Sequence, residues 1–151
     1  MHCRHLFRSS VFLFSSLIAG CSTDPNSPFW ASAKLDTALR HWRGANLTNY
    51  SFRSSVSCFC PSEFIVPMRV TVRGGRVTDV VDAATGVSHP TDWRQSIDSV
   101  FSLVRREIRE RPERLEVTYD ATLGYPRTLT YGTPENDGGG YISIDSVRAV
   151  P

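Results

Sequence analysis

Apolar residues recur along this chain with two different periods. Leu35, Ala38, Leu39 and Trp42 fall at i, i+3, i+4 and i+7, the spacing of one buried helix face. Pro28 suits the first helical position, Ser27 the N-cap before it, and Gly44 the C-terminal stop. Ile97, Val100, Phe101, Val104 and Ile108 form a second helical stripe. Asp92 and Ser96 are its candidate caps. Arg105, Arg106 and Arg109 lie toward its C-terminal end, where the macrodipole favours cations, and Pro112 ends it.

Between and after these helices the period drops to two. Tyr50, Phe52, Val56 and Cys58 alternate with Asn49, Ser51, Arg53, Ser55 and Ser57. Met68, Val70 and Val72 alternate with Arg69, Thr71 and Arg73, and Gly74-Gly75 is a hairpin signal leading to Val77, Val80 and Val81. Residues 83–90, with Gly86, read as a loop. After the second helix, Leu115, Val117 and Tyr119 alternate with Glu116, Thr118 and Asp120. Residues 120–126 make a turn, 127–131 a returning strand, 135–140 a glycine-rich loop and 141–150 a last strand. Alternation of this kind buries one face and wets the other, as in antiparallel sheets. The expected fold class is α+β: an antiparallel sheet of about six strands with two amphipathic helices on one face, in the order αβββ-αβββ. The order suggests duplication, but no repeat is visible in the residues.

The N-terminus has a different pattern. Arg4 and Arg8 with His2 and His5 precede an apolar run from Val11 to Ala19, broken only by Ser15 and Ser16. The run is too short for a bilayer span, which needs about 20 apolar residues, and has the order of a secretory signal peptide. Leu17 to Cys21 resembles the lipobox of bacterial lipoproteins. That resemblance implies cleavage of residues 1–20 and acylation of Cys21 with fatty acid such as palmitate, since stable anchoring takes more than one chain. Ser22, not Asp, follows the cysteine, which by the same resemblance implies the outer membrane, facing the periplasm. Residues 21–27 then form the anchor and tether, and 28–151 one domain.

Composition agrees with a single domain. Removing 20 of the 151 residues leaves 131, enough to bury a core without a metal or disulfide. The whole chain carries a formal +2, but the leader holds two basic and no acidic residues, so the remainder has 15 of each. That balance argues against nucleic acid as a partner. Sixteen of the 17 basic residues are arginine, with Lys34 the exception, a bias that reads as codon usage and assigns no site.

Several segments together carry a family resemblance. They are Asn49-Tyr50-Ser51-Phe52, Cys58-Phe59-Cys60-Pro61, Gly74-Gly75-Arg76-Val77, the helix containing Phe101, Val117-Thr118-Tyr119-Asp120 and Gly124-Tyr125-Pro126. The pattern resembles a family of bacterial exported and lipid-anchored proteins defined only as a domain of unknown function, over roughly Trp42 to the C-terminus. The resemblance implies fold and export, with no activity or site residue to transfer.

Chemistry-bearing residues are few. Cys58 and Cys60 are left over in an oxidising compartment and read first as a disulfide, although i and i+2 of a strand sit near the upper limit for bridging. They also read as two soft metal ligands lacking further donors at ligand spacing, or as free thiols; C-x-C is not the redox motif C-x-x-C. Residues 120–126 read as a turn and Glu135 with Asp137 as no calcium loop. His41 and His89 read as structural or surface residues. Trp30, Trp42 and Trp93 read as packing residues, with Trp30 early enough in the chain to approach a membrane. No catalytic or phosphate-loop motif is present, and no cofactor is implied. The expected function is a non-catalytic binding or scaffolding domain on the envelope. The alternatives are a redox or metal-handling protein using Cys58 and Cys60, and an inhibitor or envelope-assembly module. Besides the membrane, the expected partner is an envelope protein or an anionic ligand. The candidate binding face is the polar side of the sheet, where Arg53, Arg69 and Arg73 could grip carboxylate or phosphate bidentately. The same alternation is also what a merely solvated face shows.

Overall fold

The computed structural model describes residues 28–132 and 139–151. The leader, Cys21, the tether with Ser27, and residues 133–138, including Glu135 and Asp137, lie outside the described residues. The described elements are α1 (Pro28–Gly44), β1 (Tyr50–Ser57), a four-residue α2 (Ser62–Ile65), β2 (Met68–Arg73), β3 (Arg76–Asp82), α3 (Ile97–Glu110), β4 (Arg114–Tyr119), β5 (Pro126–Gly132) and β6 (Gly140–Ala149). The fold is α+β, with one open six-stranded antiparallel sheet. Its order is β3-β2-β1-β6-β5-β4.

Local chemistry sets the boundaries. Ser96 caps α3, its hydroxyl accepting from the Ser99 N–H at 3.2 Å, whereas Asp92 belongs to a short 3-10 turn at Thr91–Trp93. At the other end Arg111 takes a left-handed conformation with φ 51°, and its N–H donates to the Glu107 carbonyl before Pro112 leaves the helix. Gly74 and Gly75 make the β2–β3 turn at φ 54° and 75°, a backbone that side chains resist. Neither α2 nor the 3-10 turn was visible as periodicity, because each is shorter than the window in which a helical period can be read.

One cluster makes the core. Leu35, Ala38, Leu39 and Trp42 of α1 meet Ile97, Val100, Phe101, Leu103, Val104 and Ile108 of α3, together with alternate strand positions such as Tyr50, Phe52, Met68, Val70, Val72, Leu129 and Ile144. Trp42 sits edge-on to Tyr50 at 5.2 Å and donates from Nε1 to Asp98 Oδ1 at 3.1 Å. The Tyr50 hydroxyl accepts from the Ile97 N–H at 3.2 Å. These bonds tie the end of α1, the start of β1 and the first turn of α3. Burial and the nearby Asp98 carboxylate hold the Tyr50 phenol far above its ordinary pKa.

Three expectations need correction. Trp30 does not pack in the core: it is 43% exposed, because position 30 falls outside the Leu35–Trp42 stripe. Cys58 is not in β1, which ends at Ser57 where the chain bends away. Gly140 belongs to the last strand, pairing with Tyr131 on β5. Two register shifts also explain where the alternation blurred. A bulge near Thr78 lets Val77 and Val80, three apart, both reach the core. A second bulge in β6, where Ser146 takes φ 57°, does the same for Ile144 and Val147.

Candidate functional site

The polar face of the sheet is built by pairing. Arg53 on β1 lies directly across from Arg69 on β2, and Ser51 directly across from Thr71. On the other side of β1, Ser51 pairs with Arg148 and Arg53 with Asp145. Asp145 and Arg148 are three residues apart, so a regular strand would send them to opposite faces. The extra residue at the Ser146 bulge returns both to the side of Arg53.

The result is a depression of about 320 Å³ lined by Ser51, Arg53, Arg69, Ser146 and Arg148, with Phe52, Pro67, Ala83 and Ala84 completing the wall. Among the described residues, no carboxylate belongs to that lining. Asp145 stands beside it and accepts from the Ser146 hydroxyl at 2.7 Å. Arg53 and Arg69 are exposed, while Ser51 is buried and receives a hydrogen bond from Arg148 Nε at 3.2 Å. Among the described residues, no ion pair engages Arg53, Arg69 or Arg148.

The wall is held by the segments on either side of Pro67. Its carbonyl accepts from the Ala83 N–H at 2.9 Å. Just before it, the buried Arg94 guanidinium donates to the carbonyls of Phe64 at 2.7 Å, Val66 at 2.9 Å and Trp93 at 2.8 Å. Burial pushes the Arg94 pKa down. Phe64 stacks on Trp93 at 4.2 Å, and Trp93 on His89 at 4.7 Å. On the far side of Ala83 and Ala84, the Asp82 carboxylate accepts from the Ala84 and Thr85 N–H groups at 2.7 and 2.8 Å. Those bonds, the one from Thr85 first, hold its pKa below the ordinary value.

The remaining candidate residues fall elsewhere. Arg73 shares the polar side of β2 but lies outside the depression, its guanidinium donating to the Pro151 carbonyl oxygen. Cys58 and Cys60 form a disulfide with Cα atoms 5.3 Å apart, closer than two such positions in an extended strand because the chain has left β1. His41 is exposed beside the β4–β5 turn, and His89 is stacked on Trp93. Asp120 organises that turn by accepting from the Thr122 and Leu123 N–H groups, as its sequence suggested. Among the described residues, no cluster of three or more His, Cys, Asp or Glu side chains is placed to hold a metal ion. No described helix is long and apolar enough to cross a membrane.

Arg148 was missed by sequence reasoning because strict alternation puts it on the core side with Ile142 and Ile144. The signal was present: the apolar register moves from even positions, Ile142 and Ile144, to odd Val147.

A family model matches residues 34–145, most of the domain just described. The chain belongs to DUF6174, a family of unknown function. A comparison with curated proteins gives no match. In this DUF6174 chain the matched span contains Ser51, Arg53, Arg69 and the Cys58–Cys60 bridge, whereas Arg148 lies just past its end and Trp30 just before its start.

Proposed function

We propose that this DUF6174 protein is a non-catalytic binding domain of the bacterial envelope, anchored through an acylated Cys21 and facing the periplasm. In this reading both long helices cover one face of the sheet, and the other face meets the ligand. The ligand presents an anionic group, a carboxylate or phosphate, to the depression between β2, β1 and β6.

One observation carries the binding assignment. Arg53, Arg69 and Arg148 converge on one depression with Ser51, with no carboxylate among the described residues of the lining. Like charges placed opposite one another across strands cost stability. A bound anion removes that cost, and guanidinium groups offer the paired donors that carboxylate and phosphate accept.

The test is thermal unfolding of the purified protein with inorganic phosphate and, separately, citrate as probes. A ligand that binds only the folded state raises stability by about 2.7 kcal/mol at a hundredfold excess over its Kd. At least one probe is expected to raise the melting temperature at constant ionic strength, with the rise lost in Arg53→Ala/Arg69→Ala and kept in Arg73→Ala. No rise with either probe, or an equal rise in the double variant, contradicts the assignment. Replacing Cys21 with Ser tests the anchor separately: the variant is expected to leave the membrane fraction or keep its leader. Retained membrane fractionation with labelled fatty acid contradicts the anchor.

A further inference from the structure

Phe29 and Trp30 are used neither by the core nor by the arginine depression. Phe29 is 72% exposed and Trp30 43% exposed, and their rings meet edge-on at 5.5 Å in the first turn of α1. The core-facing stripe of that helix runs through Leu35, Ala38, Leu39 and Trp42 and leaves both aromatics outside it. An apolar cleft of about 490 Å³ continues from Trp30 along α1 past Ala33 and Ala38 to the β4–β5 turn at Gly124. Lys34, one helical turn after Trp30, stands at the same cleft. The two aromatics precede the family span of 34–145, so the patch is not part of the matched domain.

We propose that Phe29 and Trp30 form a lipid-contact patch, their rings seated in the headgroup region of the bilayer that carries the Cys21 anchor. The inference rests on the anchor reading given above. Covalent reach selects the occupant. Phe29 follows Cys21 by eight residues, and eight residues span at most about 28 Å even when fully extended. An acyl group on Cys21 therefore keeps this turn of α1 near the membrane surface. Tryptophan, with an apolar body and one N–H donor, favours the membrane–water interface. Lys34 supplies a cation at the level where lipid phosphates lie. Tethering also makes the contact intramolecular, so two side chains too few to hold a free protein on a bilayer are enough to orient an anchored one.

The test uses the full-length acylated protein reconstituted in phosphatidylethanolamine–phosphatidylglycerol vesicles, with and without lipids brominated near the headgroup end of the acyl chain. Trp42 is buried in the core and Trp93 is stacked between Phe64 and His89, so contact quenching reports chiefly on Trp30. Brominated lipid is expected to quench wild-type emission, with the quenching lost in Trp30→Phe while vesicle flotation and acylation are unchanged. An acylated, floating wild type with no quenching, or equal quenching in Trp30→Phe, overturns the patch and leaves the anchor standing. A wild type that neither carries an acyl group on Cys21 nor floats overturns the anchor, and the patch with it.

Discussion

Arg53 and Arg69 face one another directly across β1 and β2, and among the described residues neither is engaged in an ion pair. Two cations opposite each other are a net cost to a sheet. Arg53 also has Asp145 across from it on β6, whereas Arg69 has Val81 across from it on β3. In the absence of ligand, Arg69→Ala is expected to gain up to about 0.5 kcal/mol at low salt and Arg53→Ala to gain less. Both differences shrink as salt screens the pair. Urea unfolding at two ionic strengths measures this; a loss above about 1 kcal/mol in either variant would show that the guanidinium is needed for folding.

Arg94 supports the wall of the depression without lining it. Its three bonds go to carbonyls of Phe64, Val66 and Trp93, and truncation leaves those acceptors unpaired. Arg94→Met is expected to cost about 2–4 kcal/mol. Arg94→Lys should recover little, because an ammonium cannot reproduce the planar fork that spans three carbonyls. Equilibrium unfolding of both variants checks the point, and full recovery by lysine would contradict it.

Gly124 and Gly86 have nearly the same backbone, φ 78° and 76°, in different surroundings. A Cβ on Gly124 would overlap the Ala38 carbonyl oxygen and lie 2.8 Å from His41 Cβ, whereas a Cβ on Gly86 meets nothing within 4 Å. Gly86→Ala is expected to cost about 1 kcal/mol for its conformation alone. Gly124→Ala should cost about 2–4 kcal/mol, since α1 must also move away from the β4–β5 turn. Equal losses in chemical unfolding would mean that α1 does not pack on that turn.

The Cys58–Cys60 bridge closes a three-residue ring, and so short a ring constrains the unfolded chain weakly. Cys58→Ser/Cys60→Ser is expected to cost no more than about 1.5 kcal/mol. Mass spectrometry of the protein purified without reductant and then alkylated should find neither thiol modified. Two alkylated cysteines would reject the bridge.

The two long helices were legible because their stripes are long: Leu35 to Trp42 and Ile97 to Ile108 each repeat over two turns or more. The strands were legible as far as alternation stayed regular. It failed at Thr78, Arg127 and Ser146, where one extra residue carries the chain across the pleat, and the last failure hid Arg148. Arg53 and Arg69 were found because residues before the bulge obey period two. Arg73 was placed on the correct side of β2, but the contact that occupies it comes from Pro151, 78 residues away, which no local pattern reports. Ser51 was assigned to the wet face, yet it is buried there beneath Arg148. Alternation gives the direction of a side chain and says nothing of what closes over it.

Binding of an anion by the arginine depression is measured most directly at the guanidinium groups themselves. Arginine Nε–Hε resonances, followed by NMR during titration with inorganic phosphate and with citrate, distinguish a built site from general screening. Arg53, Arg69 and Arg148 are expected to shift together along one saturating curve with at least one probe, while Arg73 and the Glu116-paired Arg114 stay in place. Uniform, non-saturating movement of all exposed arginines, or saturable shifts that leave these three unmoved, would contradict the assignment.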